Sequence, residues 1–394
     1  MNRFKYLIIG GGMTADAAAQ GIREMDSDGS IGLISDEADP PYDRPPLSKG
    51  LWKDKSFDSI WRNAAQTQAQ LYLGRSVKLI DLQHKEVSDD RGAVYPFEKL
   101  LLATGGRPRV LPFGGERIIY YRTAADYRRL RALTEKHKRF VVIGGGFIGA
   151  EIAAALAMNG KQVTMLFPGA AICQRIFPRD LSLFLNNYYQ EKGITVLPDE
   201  TATGLAERGA EVAIKTKTHG EIVAEGVVAG LGIEPNVELA KAAGLAVEDG
   251  IVVNEFLQTS APEVFAAGDV ALFQNPALGQ RLRVEHEDNA NTMGKIAGHN
   301  MAGKRERYDH QPFFYSDLFD LGYEAVGELD SRLETFVDWK TVNREGVIYY
   351  LRGGQVRGVL LWNVWGQVDA ARELIAGHQT FQTAELKGKL PRAA

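Results

Sequence analysis

The chain has 394 residues, 45% of them hydrophobic and 24% charged, an ordinary globular mix sufficient for two or three domains. A net charge of −4 gives no general attraction to nucleic acid or anionic lipid, and no apolar run is long enough to span a bilayer. With Cys173 as the one cysteine, an internal disulfide, an electron-shuttling thiol pair and a four-thiolate metal site are excluded, and Cys173 reads as a small apolar filler.

Residues 5–9 read as a strand entered almost at once, with no targeting segment ahead of it, and residues 14–25 as an Ala-rich helix. Between them, Gly10-Gly11-Gly12-Met13-Thr14-Ala15 has the form GxGxxA. In such a turn the first glycine permits the bend, the second lets a phosphate approach the backbone, and the third small residue lets helix and strand pack closely. A second strand, 31–34, is followed by Asp36 and Glu37. Asp36 stands 24 positions after Gly12, where an acid meets an adenosine ribose; the alternative is a surface turn acid.

Pro40-Pro41-Tyr42-Asp43-Arg44-Pro45-Pro46-Leu47-Ser48-Lys49 is stiffened by four prolines, and Pro46 can begin a helix. Arg44 and Lys49 are therefore cations on a preorganised element, either a clamp on an anionic cofactor or solvated charges on a connector. Residues 76–80 suggest a strand, 85–87 and 93–95 a hairpin, and 99–103 a further strand ending at Thr104-Gly105-Gly106. Pro108 and Pro112 mark a crossing between domains. Residues 123–137 form a basic amphipathic helix with a solvated face.

Val141-Val142-Ile143-Gly144-Gly145-Gly146-Phe147-Ile148-Gly149-Ala150-Glu151 then repeats strand, glycine turn and helix, now as GxGxxG. Two such units in one chain favour two dinucleotide sites over chance, each with helix amides turned toward a pyrophosphate. After the second strand of this unit, 161–167, Phe167-Pro168-Gly169 replaces the acid that would hold an NAD ribose, and Arg175 is near. On the residues alone, NAD against NADP is open.

Residues 211–216 and 222–229 read as a hairpin turning at His219-Gly220, and 232–236 as a rigid loop. Val264-Phe265-Ala266-Ala267-Gly268-Asp269 is a strand ending in an acid able to accept from a polyol hydroxyl. Residues 283–298 read as a polar loop entering a helix, with Glu285, His286 and Glu287 at its start. That helix N-terminus can stabilise negative charge on a reduced ring. Phe313-Phe314-Tyr315 suits either a core or ring stacking. From residue 325 the chain alternates like antiparallel strands, including 332–338, 347–351 and 356–362, closed by a helix near 368–375.

Together these motifs resemble the FAD-dependent pyridine-nucleotide oxidoreductases of the glutathione-reductase structural class. The loop from Pro41 to Lys49 is similar to that of oxygenase-coupled ferredoxin reductases and of apoptosis-inducing factor. Arg283-Val284-Glu285-His286, Tyr315-Ser316-Asp317-Leu318 and Gly322-Tyr323-Glu324-Ala325-Val326-Gly327 resemble the latter most. The resemblance spans nearly the whole chain. It implies FAD on Gly10, Gly12, Met13, Thr14 and Ala15, with Asp36, Glu37 and Val77 at the adenosine end. Arg44, Lys49, Thr104 and Arg109 would be further FAD contacts. Asp269 would meet the ribitol–pyrophosphate region, with His286 and Glu287 near the flavin ring. The nicotinamide nucleotide would take Gly144, Gly146, Phe147, Ile148 and Gly149, with Arg175, Gly232, Glu285, His286 and Glu324. Tyr315 stands where the resemblance expects a tryptophan beside the ring. Lys49 and Glu151 would be an ion pair serving catalysis.

The expected architecture is thus an α/β flavoprotein with two dinucleotide-binding domains and an α/β C-terminal domain. Its expected segments are 1–112 with 244–320 for FAD, 113–243 for NAD(P), and 321–394. The expected activity is hydride transfer from a nicotinamide, NAD(H) before NADP(H), to FAD. Electrons then leave directly to an acceptor such as a ferredoxin-like protein or a quinone. The alternative is a redox-responsive interaction protein holding a long-lived charge-transfer complex. A cytoplasmic location, no metal and no nucleic-acid partner complete the expectation; the oligomeric state, a homodimer included, is left open.

Overall fold

The computed structural model describes residues 3–390, which fall into two compact units. The first unit comprises Met1–Arg44, Ser56–Arg107 and Glu234–Pro312; the second comprises Pro45–Lys55, Pro108–Ile233 and Phe313–Ala394. The three-part division expected from the sequence concerns cofactor-binding modules rather than these compact units.

The first unit is built on the strand Phe4–Ile9, flanked in parallel by Ile31–Ile34 and Val94–Leu102. Gln70–Tyr72 extends one side and Val264–Ala266 the other. Leu7, Ile8, Leu33, Leu100 and Leu101 are fully buried. That explains why these strands read as continuous apolar runs rather than alternating ones: parallel sheets are covered on both faces. The hairpin and the strand expected at 93–95 and 99–103 are one structure. Val94–Leu102 is a single strand whose first residues pair antiparallel with Glu86–Asp89 and whose remainder joins the parallel sheet. Pro96 breaks its pattern in sequence but is tolerated where one ladder gives way to the other.

Two helices of this unit, Met13–Met25 and Glu287–Met301, pack against each other through small residues. A Cβ at Gly21 would overlap the Lys295 carbonyl oxygen, one at Gly294 that of Thr14, and one at Gly298 that of Ala18. The backbones therefore approach more closely than any larger residue permits.

The second unit contains a parallel sheet in the order Thr195–Leu197, Gln162–Leu166, Arg139–Ile143, Gly226–Ala229, Ile118–Tyr120. Residues 222–229 do not form one arm of a hairpin. Glu221–Ala224 pairs antiparallel with Glu211–Thr216, and Gly226–Ala229 then runs parallel beside Arg139–Ile143. The helix Arg179–Glu191 was not anticipated, because no capping residue precedes it; Pro178 occupies that position. The loop expected at 232–236 contains the short strand Ile233–Pro235, paired with Gly106–Pro108.

The C-terminal part is a five-stranded antiparallel sheet in the order Phe313–Leu318, Leu321–Gly327, Gln355–Trp362, Glu345–Arg352, Glu334–Thr341, with the helix Val368–Ala376 beside it. It starts at Phe313, earlier than the alternation from residue 325 suggested, and the strand expected at 332–338 is shifted to Glu334–Thr341. Tyr323, Tyr349, Tyr350 and Trp362 are fully buried in it.

Candidate functional site

In the first unit, Gly10 adopts φ +127°, and a Cβ there would overlap the carbonyl oxygen of Ala103. Only glycine fits this bend, which brings the turn against the strand end that carries Thr104. Gly12 precedes the helix Met13–Met25 and leaves its first amides without a side-chain cap. The Arg44 guanidinium lies 3.8 Å from where a Cβ at Gly12 would be. Uncapped helix amides beside a guanidinium form an anion cradle, and this donor set fits a pyrophosphate. Met13, Thr14 and Ala15 are buried in the first turn of the helix.

Glu37, not Asp36, is the engaged acid after the second strand. Glu37 accepts from the Tyr42 hydroxyl at 2.5 Å and pairs with Arg44, whereas Asp36 is exposed. Burial works against the Arg44 charge, but Tyr42, Glu37 and Asp269 outweigh it and raise its pKa. Val77 is half-buried at the start of its strand. Thr104 donates through Oγ1 to the Asn236 carbonyl at 2.8 Å. Asp269 is half-buried in a short helical turn; its carbonyl accepts from Arg283, which also pairs with exposed Glu285. His286 is the N-cap of Glu287–Met301, so Glu287 falls in the first turn, where a negative charge is favoured.

The second unit repeats the glycine geometry. Gly144 has φ +123° and no room for a Cβ beside the Gly230 carbonyl, while a Cβ at Gly149 would strike the Gly144 carbonyl. At Gly146, the uncapped N-cap of Phe147–Met158, a Cβ would meet nothing. Phe147 is half-buried, edge-on to Phe314 at 5.4 Å, and Ile148 is exposed. This open N-terminus has the form of a second phosphate cradle.

On the same helix, one turn further on, buried Glu151 gathers three donors: Lys49 Nζ at 2.8 Å, Ser48 Oγ at 2.5 Å and Ser316 Oγ at 2.5 Å. Lys49 Nζ lies 5.4 Å from the centre of the Tyr315 ring, which is partly exposed. A buried ion pair persists only if its remaining lone pairs are satisfied; here two hydroxyls do that. Ser48 and Ser316 were missed in the sequence because a lone serine carries no spacing signal. Each neighbours a residue singled out, Lys49 and Tyr315. Leu47 is held in turn: its carbonyl accepts from Tyr121 and from Trp52 Nε1.

Arg109 donates its backbone N–H to the Gly232 carbonyl at 3.0 Å and Nε to that of Ile233. Arg175 is exposed, and its carbonyl accepts from the Ser331 N–H. Glu324 pairs across strands with Tyr315; desolvation raises its pKa, opposed by a bond from the Gly366 N–H. Cys173 is buried, with its thiol pushed up to about 12 by desolvation.

Residues 4–294 match the pyridine nucleotide-disulphide oxidoreductase family. The chain belongs to that family. Its C-terminal part, residues 297–345 and 340–377, matches the C-terminal domain of mitochondrion-associated apoptosis-inducing factor. This oxidoreductase is 34% identical to the ferredoxin–NAD(+) reductase component of the anthranilate 1,2-dioxygenase system of Burkholderia cepacia, over 95% of each chain. It is also 34% identical to the mitochondrial apoptosis-inducing factor 1 of Dictyostelium discoideum, over 97% of this chain and 80% of that one. The crystal structure of the covalent putidaredoxin reductase–putidaredoxin complex superposes with a TM-score of 0.91 at 30% identity, covering 98% of this chain and 96% of that one. The fold is the glutathione-reductase-like FAD/NAD fold with an antiparallel C-terminal sheet, and the oxidoreductase is an enzyme of ferredoxin-reductase type. No helix among the described residues is long and apolar enough to cross a membrane.

Proposed function

We propose that this oxidoreductase takes a hydride from NADH onto FAD and passes electrons directly to a ferredoxin-like acceptor. FAD is assigned to the segments 1–112 and 244–320, the nicotinamide nucleotide to 113–243, and completion of the site to 321–394. When bound, FAD supplies the chemistry, accepting two electrons as a hydride and releasing them to an acceptor. The chain's own residues bind, orient and set the field. Gly10, Gly12, Thr14, Ala15, Arg44 and Asp269 are the residues assigned to FAD. Gly144, Gly146, Phe147, Ile148 and Gly149 are assigned to the nicotinamide nucleotide.

The observation that carries this reading is the Lys49–Glu151 pair. Glu151, fixed by Ser48 and Ser316, holds the Lys49 ammonium in place. A fixed ammonium can stabilise negative charge as it develops, with no reorganisation at the moment of reaction. NADH and a ferredoxin are supported by the ferredoxin–NAD(+) reductase of Burkholderia cepacia and the putidaredoxin reductase–putidaredoxin complex described above, and direct exit of electrons by the single buried cysteine.

The test is anaerobic stopped-flow reduction by NADH. Lys49→Ala is expected to retain FAD and to slow its bleaching by about 10²-fold. An unchanged rate overturns the role of Lys49. Absence of FAD from the purified wild-type protein overturns the whole reading.

A second reading, a redox-responsive interaction protein with slow turnover, is supported by the match of the C-terminal sheet to the apoptosis-inducing factor domain. Fast reoxidation by a ferredoxin favours the reductase. Sluggish reoxidation with a ligand-dependent change in mass favours the second reading.

A further inference from the structure

The corner of the second unit that would receive the adenosine ribose of the nicotinamide nucleotide has its hydrogen-bonding polarity reversed. In a dinucleotide-binding βαβ unit, an acid about 20 residues after the glycine turn accepts from the ribose 2′-hydroxyl and repels a 2′-phosphate. Here Gly169 lies in the loop following Gln162–Leu166. The space its side chain would fill is taken: a Cβ on Gly169 would overlap Nε2 of Gln174. The Gln174 amide is oriented by its other end, where Oε1 accepts from the Ala170 N–H at 2.8 Å and the Ala171 N–H at 3.3 Å. Its NH₂ group therefore stands where the first carbon of an acidic side chain would be. A carboxylate only accepts, and an amide NH₂ only donates. Such a donor serves a ribose hydroxyl oxygen and a phosphate oxygen alike.

The charges around this turn support the same conclusion. Arg175, next in the chain, is exposed and forms no ion pair among the described residues. Of the two acids that follow Leu197, Glu200 is engaged by the backbone N–H groups of Lys217, Thr218 and His219 and by the side chains of Thr218 and His219. Asp199 gives its backbone N–H to the Gly169 carbonyl at 2.9 Å and is an acid beside the loop that can oppose a phosphate.

We infer that this site does not discriminate against a 2′-phosphate, so that the oxidoreductase binds the 2′-phosphorylated dinucleotide as well as the unphosphorylated one. Gln174 and Arg175 are the specificity-determining residues. This inference rests on the assignment of the second glycine turn to the nicotinamide nucleotide.

Calorimetric titration of the FAD-loaded protein with NAD⁺ and with NADP⁺ tests it, alongside stopped-flow reduction by NADH and NADPH. The expected result is dissociation constants within tenfold of each other. Arg175→Ala should weaken NADP⁺ about tenfold or more beyond any effect on NAD⁺, with Arg175→Lys, which keeps the charge but not the guanidinium fork, restoring part of the loss. Gly169→Glu should weaken NADP⁺ selectively. Binding of NAD⁺ with NADP⁺ more than a hundredfold weaker overturns the inference and leaves the proposed function standing. In that case, recovery of NADP⁺ binding by Asp199→Asn would identify Asp199 as the discriminating acid. If neither nucleotide binds, the assignment of the glycine turn itself fails.

Discussion

Glu200 shows how a single buried carboxylate can fix a turn. Its two oxygens accept from the backbone of Thr201, Lys217, Thr218 and His219 and from the Thr218 hydroxyl, with His219 Nδ1 at 2.6 Å. Burial alone would raise its pKa, but these donors prevail and hold it well below the ordinary 4.5. A depressed carboxylate stabilises the fold above its unfolded pKa, and that contribution fades as the pH falls through the folded value. Glu200→Gln should therefore lower the melting temperature at pH 7, and the difference from wild type should shrink as the pH is taken below about 4.5. A difference that stays constant from pH 7 to pH 3 would show that the charge is not what the turn uses. This residue was invisible beforehand. All of its partners but Thr201 lie 17 to 19 positions away, and nothing about an isolated glutamate in sequence says that distant amides will converge on it. Asp36 and Glu37 make the same point. Spacing selected the pair, but only the fold shows that Glu37 is the one committed to Arg44 and Tyr42.

Among the elements, the glycine turns were the most legible part of the chain, because their demands are local. A positive φ at Gly10 and Gly144 and the tight approach at Gly149 follow from the strand–turn–helix form itself. The three glycines of the second turn are nevertheless not equivalent. Gly149→Ala should destabilise the protein by about 1–3 kcal/mol, since a Cβ there meets a backbone carbonyl that cannot step aside. Gly146→Ala should leave the melting temperature of the nucleotide-free protein within a degree or two, because its Cβ meets no atom of the protein, while weakening nicotinamide nucleotide binding. Equal losses of stability in both variants would contradict this division. What could not be read locally was pairing. Residues 222–229 look like one strand, yet Glu225 ends one ladder and the chain re-enters a different sheet. The reverse holds for Val94–Leu102, where 93–95 and 99–103 read as separate strands that the sheet joins into one. In both cases the deciding partner is far away in sequence, and β structure is specified by such partners more than by propensity.

For the molecule as a whole, the cysteine count constrains the chemistry more than any motif. Cys173 is alone, buried and raised to about 12, so at neutral pH it offers neither a thiolate nor a partner. The FAD-loaded protein should reduce a ferredoxin at the expense of NADH but show no measurable disulfide reductase activity toward glutathione disulfide or an aromatic disulfide. A thiol reagent should label it only once it is unfolded. Rapid labelling of the native protein would contradict the burial. The packing of Met13–Met25 on Glu287–Met301 has a consequence for how the protein is made. Its glycine-lined joint unites the first helix of the chain with one that a ribosome completes some 276 residues later (301 − 25). At 5–20 residues per second, the early helix waits roughly 14–55 s for its partner. During that interval Thr14, Ala17 and Ala18, which the second helix approaches and which are buried in the finished unit, have no native cover from that partner, an exposure of the kind that makes unfinished chains prone to aggregate.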